Sequence, residues 1–108
     1  MENQHRKIKG YRDLSQTEVD LMNQIKEKGE ELLALHAVLV GRLSTDLEVK
    51  KSAAEHSQLA PNDFASEEYQ EFNRFNKAEP LRWAEIGKTD IQTGIMALVR
   101  AVAQPANC

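Results

Sequence analysis

Apolar side chains recur at helical spacing from Leu81 to Val102. Trp83, Ile91, Leu98 and Val102 form one stripe, and Ile86, Ile95, Met96 and Val99 widen it beyond the roughly 100° that a helix with one covered face needs. A single partner helix cannot cover that much surface. The pattern predicts a C-terminal helix that packs inside its own chain and against further copies. Gly87 and Gly94 stand two turns apart within it, each costing about 1 kcal/mol against Ala in a helix interior. With Ala97 and Ala101 they read as a face that another backbone approaches closely. The plain alternative is an ordinary core helix with two tolerated glycines.

Nearer the N-terminus, Leu14 to Val19 carries a helix start. Ser15 is placed as the N-cap, Glu18 completes a capping box, and Leu14 and Val19 stand in the positions of a hydrophobic staple. Met22, Ile25, Gly29, Leu32, His36, Leu39 and Leu43 then repeat at spacings of three and four, a coiled-coil-like seam in a helix running past Leu43 toward Glu55. The chain becomes small and polar from Lys50 to Gln58, and Pro61 ends any remaining helix. Phe64, Tyr69, Phe72 and Phe75 follow among acids, and Ser66 before two glutamates predicts the cap of a short helix. Pro80 suits the first turn of the C-terminal helix, where its missing N–H costs nothing, and Pro105 closes that helix. There is no internal repeat and no alternating strand pattern. The expected fold is all-α: a long antiparallel helical hairpin with a short extra helix, assembling as a homo-oligomer. Residues 1–108 read as one domain, with a basic arm at 1–13 and a frayed tail at 104–108.

With 108 residues and 41% hydrophobic content, a monomer has little core to bury, which favours association. A net charge of −3 argues against a protein that coats DNA or RNA polymers, although a small anion needs only a local basic site. Such a site is offered by Arg6, Lys7, Lys9 and Arg12, clustered ahead of most carboxylates. The one cysteine, Cys108, can neither close an intrachain disulfide nor supply a zinc site, which fits a reducing setting. No apolar run approaches the ~18 residues of a membrane span, and the N-terminus lacks a signal-peptide core. The expectation is a protein of the cytoplasm with no membrane partner.

The candidate binding residues each have two readings. Tyr11 either packs on the first helix or forms a lip over a ligand, stacking on a base while nearby cations meet phosphate. Lys26 lies off the seam, as a solvated lysine paired with Glu30 or as a ligand contact. His36 reads as a core-edge histidine, since no second ligand stands at metal-chelating spacing on its face. Arg82 falls in the first turn after Pro80, where unpaired N–H groups and the helix dipole favour an anion.

Catalytic motifs are missing. Gly87-Lys88-Thr89 mimics the end of a phosphate-binding loop, but Arg82 stands where that loop needs glycine, and a helix where it needs a strand. The three histidines, in HRK, HAV and HSQ, assemble neither a zinc site nor a two-histidine phosphodiesterase pattern, and no carboxylate pair is marked out for acid and base work. A non-enzyme with no metal and no cofactor is expected.

Two blocks carry a resemblance: MENQHRKIKGYRDLSQTEVDLMNQIKE and AEPLRWAEIGKTDIQTGIMALVRAVAQP. They resemble the second anti-CBASS protein family, phage cyclic-nucleotide sponges that share a helical-hairpin domain with a Thoeris-blocking sponge. The stretch from Glu30 to Asn76 departs from the pattern and reads as longer. The resemblance implies a homohexamer in the host bacterial cytoplasm that sequesters cyclic oligonucleotide messengers uncut, so that CBASS immunity is not triggered. It further implies that cyclic dinucleotides such as 3′,3′-cGAMP bind through Tyr11 and Lys26 at a protomer interface. Cyclic trinucleotides such as cA3 are implied at a separate site, through Pro80 and Arg82. Competing readings are a structural coiled-coil assembly or adaptor protein, a phosphodiesterase of the same messengers, and a sponge for cyclic ADP-ribose signals.

Overall fold

The computed structural model describes residues 12–57 and 66–106. Within them the chain forms three α-helices: α1 (Gln16–Ser57), α2 (Glu67–Ala78) and α3 (Pro80–Ala103). The all-α expectation holds, and α1 runs two residues past the expected Glu55. Pro61, Phe64 and Cys108 lie outside the described residues.

The helix boundaries follow from local hydrogen bonding. At the start of α1, Ser15 Oγ accepts from Glu18 N–H at 3.1 Å, while Ser15 N–H donates back to Glu18 Oε1 at 2.9 Å, the reciprocal pair of a capping box. Ser66 caps α2 by accepting the Tyr69 N–H at 3.1 Å. Glu79, at φ 50° and ψ 51°, is the single residue between α2 and α3. Its left-handed backbone sends its N–H to the Asn76 carbonyl at 3.1 Å, and its own carbonyl takes the Trp83 N–H at 3.1 Å. Gln104, also left-handed at φ 49°, ends α3 with its N–H on the Arg100 carbonyl at 2.8 Å.

The chain divides into two compact units. The first comprises Met1–Ala34 and Thr89–Cys108, so its described part is the beginning of α1 against the end of α3. The two run antiparallel: Arg12, just ahead of α1, donates to the Val102 carbonyl at 2.9 Å, and Gly29 faces Ile95. Gly29 is required there. A Cβ built on it would lie 2.6 Å from Ile95 Cγ1 and closer still to Cδ1, well inside contact distance. Arg12 also pairs with Glu18 through both guanidinium nitrogens. The last of the basic cluster thus joins the capping box of α1 to the end of α3.

The second unit, Leu35–Lys88, holds the rest of α1, all of α2 and the start of α3. Its core is Ala54, Phe75 and Ala84, all at most 8% exposed. His36 Nε2 stands 2.8 Å from the Ala84 carbonyl. A carbonyl can only accept, so that nitrogen carries the proton, and the expected core-edge role is met. Lys50 reaches from α1 to Glu71 on α2 at 2.9 Å and lies over the Phe75 ring. Arg74 adds a two-pronged contact to the same carboxylate at 2.6 and 2.7 Å. A short hydrogen-bonded chain links the end of α1 to the start of α2. Ser57 Oγ donates to the Ala54 carbonyl at 2.9 Å, which leaves Ser66 Oγ to donate to Ser57 across 2.7 Å.

The seam of α1 differs from the expected one. Met22, Ile25, Gly29, His36 and Leu43 are turned away from solvent, but the intervening positions are Leu33 and Val40. Leu32 and Leu39 stand 47% and 46% exposed. Both tracks are built from steps of three and four, and the adjacent pairs Leu32-Leu33 and Leu39-Val40 let the pattern drift by one residue. On α3, likewise, Trp83, Met96 and Leu98 are exposed, while Ala84, Ile91, Ile95, Val99 and Val102 face inward. Gly87 and Gly94 have nothing of their own chain within 4 Å of an added Cβ, so the close approach within the chain is made at Gly29.

Two predictions follow from this packing. Gly29→Val should cost about 1–3 kcal/mol through overpacking against Ile95 and lower the melting temperature by several degrees. Adding Ile95→Ala should recover part of that loss, and strictly additive melting shifts would show that the two positions do not touch. Arg12 holds the Glu18 carboxyl down to about 2, and Arg74 and then Lys50 do the same for Glu71, against an ordinary 4.5. Depressed folded-state values give stability that is present above pH 4.5 and lost as pH falls toward 2. Glu71→Gln should therefore flatten the decline of melting temperature across that window, as thermal melts over pH would record.

Candidate functional site

Lys26 sits one turn after Met22 on α1, so both project from one face. On α3, Met96 and Arg100 stand in the same relation, and Arg100 is held in the last turn by the Gln104 cap on its carbonyl. These four side chains meet around a depression of about 380 Å³ in the first unit, with Ile95, Val99, Ala103 and Pro105 completing its lining. Pro105 is brought there by the left-handed turn at Gln104. The floor is apolar and the two polar lining groups are cations. That combination suits an anion with a flat, weakly polar body. Among the described lining residues none is a carboxylate, a histidine or a hydroxyl.

The expected Lys26–Glu30 pair is not formed; Lys28 instead pairs with Glu31 at 3.5 Å, one step around the helix. Among the described residues Lys26 has no ion pair, and neither has Arg100. Sequence reasoning missed Arg100. The available signal was its spacing of four from Met96, on a helix end expected to pack against the start of α1. Tyr11 lies outside the described residues.

Pro80 and Arg82 belong to the second unit. Pro80 opens α3, as expected, directly after the left-handed Glu79. Arg82 pairs with Glu79 at 3.5 Å and stacks over the Trp83 ring with its guanidinium carbon 5.2 Å from the centroid. Trp83 is 59% exposed, so cation and indole face solvent side by side. The Trp83 N–H is taken by the Glu79 carbonyl, and Pro80 has none, so the N–H groups of Leu81 and Arg82 are the ones α3 leaves unpaired.

The larger concave surface of the first unit is an apolar groove of about 830 Å³, lined chiefly by Leu21, Ile25, Gly29 and Leu32 of α1 and Ile91, Gly94, Ile95 and Leu98 of α3. Ile95 lines both the groove and the depression. Among the described residues no group of three or more His, Cys, Asp or Glu side chains is placed to hold a metal ion. No helix among them is long and apolar enough to cross a membrane.

The family model of the Acb2/Tad1 hairpin domain matches residues 3–103. The chain belongs to this hairpin-domain family. It is similar to Anti-CBASS protein 2 of Pseudomonas phage JBD67, with 66% identity over 108 residues spanning the whole of both chains. The likeness therefore runs through the middle of the molecule as well as its ends. Glu30 to Asn76, expected to be longer than the family pattern, adds no length relative to that phage protein. In this hairpin-domain chain the middle stretch supplies most of the second unit, including the Lys50–Glu71 contact and Phe75.

Proposed function

We propose that this chain is a single-domain phage counter-defence sponge. In the cytoplasm of the infected bacterium it sequesters cyclic di- and trinucleotide messengers without cleaving them, and so blocks CBASS immunity. The observation that carries this reading is the full-length identity with Anti-CBASS protein 2. The depression at Lys26 supports it, because a cyclic dinucleotide such as 3′,3′-cGAMP presents bases to an apolar floor and phosphates to unpaired cations. Tyr11 stacks on a base at that site, from the arm preceding α1.

Pro80 and Arg82 take cyclic trinucleotides such as cA3. Their place is separate from that of Lys26, and exposed Trp83 beside Arg82 adds a surface on which a base can stack. Sequestration against a cellular receptor calls for nanomolar affinity, roughly −12 kcal/mol. Stacking at about 1–3 kcal/mol per base falls short of that, so phosphate contacts and exclusion of water at a protomer interface supply the rest. That interface calls for a homo-oligomer, which the family resemblance implies is a homohexamer. The apolar groove, with exposed Leu32 and Leu98 and a Gly94 that meets nothing in its own chain, is the surface suited to covering by another copy.

The test is to load the protein with 3′,3′-cGAMP, remove free ligand, denature, and chromatograph what is released. Intact nucleotide is expected. A new peak would mean a phosphodiesterase, and no retention of either messenger class would leave the assembly-protein reading or a cyclic ADP-ribose signal as the ligand. Tyr11→Ala and Lys26→Ala should each weaken dinucleotide binding about 10- to 100-fold, without change in oligomeric mass. Arg82→Ala should weaken cA3 binding and spare the dinucleotide; equal loss of both would unite the two sites. Gly94→Leu should leave the chain folded, since it removes a helix glycine that costs about 1 kcal/mol and its Cβ meets no atom of the described residues within 4 Å. It should nevertheless abolish the oligomer, and an unchanged sedimentation profile would remove that groove from the assembly.

A further inference from the structure

We propose that Arg100 is a second ligand-binding residue at the Lys26 depression, where its guanidinium grips one phosphodiester of a cyclic dinucleotide. The inference rests on the sponge reading above and adds a residue to it.

Gly29 of α1 stands opposite Ile95 of the antiparallel α3, so residue 26 lies level with residue 98. Arg100 is two residues further on, about 3 Å along the axis at 1.5 Å per residue. Both cations therefore stand at nearly the same height beside one depression, with Met22, Ile95 and Val99 as the apolar surface between them.

Five arginines fall among the described residues, and four have an ion pair: Arg12 with Glu18, Arg42 with Asp46, Arg74 with Glu71, and Arg82 with Glu79. Arg100 alone has none. A cation in the last turn of a helix complements the dipole wherever its side chain points. That accounts for the charge at this turn, but not for its facing the same depression as a second unpaired cation. An anion seated in the depression is attracted by both.

A phosphodiester carries two non-bridging oxygens that match the planar fork of a guanidinium, whereas the Lys26 ammonium acts as a point charge. The two residues thus divide the work. Arg100 orients a phosphodiester, and Lys26 contributes attraction that tolerates several ligand poses.

Titrating 3′,3′-cGAMP and cA3 into wild type, Arg100→Gln and Arg100→Lys, at low and at physiological salt, tests this. Arg100→Gln should weaken 3′,3′-cGAMP binding about 10- to 100-fold, the loss of one charge-assisted contact, and flatten its salt dependence. Arg100→Lys should restore the salt dependence but only part of the affinity. Binding of cA3 and the melting temperature should not change. If wild type binds 3′,3′-cGAMP and Arg100→Gln binds it equally well, Arg100 is no contact and the sponge reading stands. Parallel loss of both ligands with a lowered melting temperature would make Arg100 structural and overturn the proposal. If wild type binds no cyclic dinucleotide, the sponge reading of this site and the role of Arg100 fall together.

Discussion

Ile95 can seat against the backbone of Gly29 only because no Cβ stands between them, and much of the first unit depends on that contact. It fixes how closely α1 and α3 approach and which turns of the two helices lie level. On one side of Ile95 lies the apolar groove, and on the other the depression with Lys26 and Arg100. A side chain at position 29 would push the helices apart and change both surfaces together. The glycine that costs α1 local helix stability thus sets the spacing from which the concave surfaces are made.

Charge divides the molecule into groups that hold the fold and groups that are free to meet a ligand. Arg12, Lys50 and Arg74 are committed: one closes the end of the first unit, and the others clamp α2 through Glu71. Lys26 and Arg100 have no such partner and stand over an apolar floor. A chain of net negative charge can thus present a local cationic site, because no carboxylate stands among the described residues that line the depression. Arg82 is intermediate, shared between Glu79 and the Trp83 ring, and a ligand there has to compete with both.

The thin core has a related consequence. Among the described residues four apolar ones are buried, and three of them are alanines. Large apolar side chains on α1 and α3, among them Leu32, Leu39, Trp83 and Leu98, remain in contact with water. Such surface is costly for an isolated chain and useful for an assembling one.

How much of this could be read without the structure depended on the range of each interaction. The caps at Ser15 and Ser66 and the start at Pro80 were legible, because each is completed within three or four residues by the chain's own hydrogen bonds. The seam of α1 was legible only as a period. Choosing between Leu32 and Leu33, or Leu39 and Val40, requires knowing which face α2 and α3 cover. The left-handed Glu79 carried no glycine to announce it, and the Ser57–Ser66 bridge joins residues that no motif connects. Lys26 could be named as a candidate, but not that it lacks its expected partner Glu30, nor that Arg100 shares its depression. By itself the sequence determined the helices, their starts and the family, since those follow from local bonding and from residue identity along the chain. Only the tertiary structure decided which apolar positions are covered, which cations are spent and which stand free, because those outcomes depend on atoms distant in sequence that meet only when the helices pack.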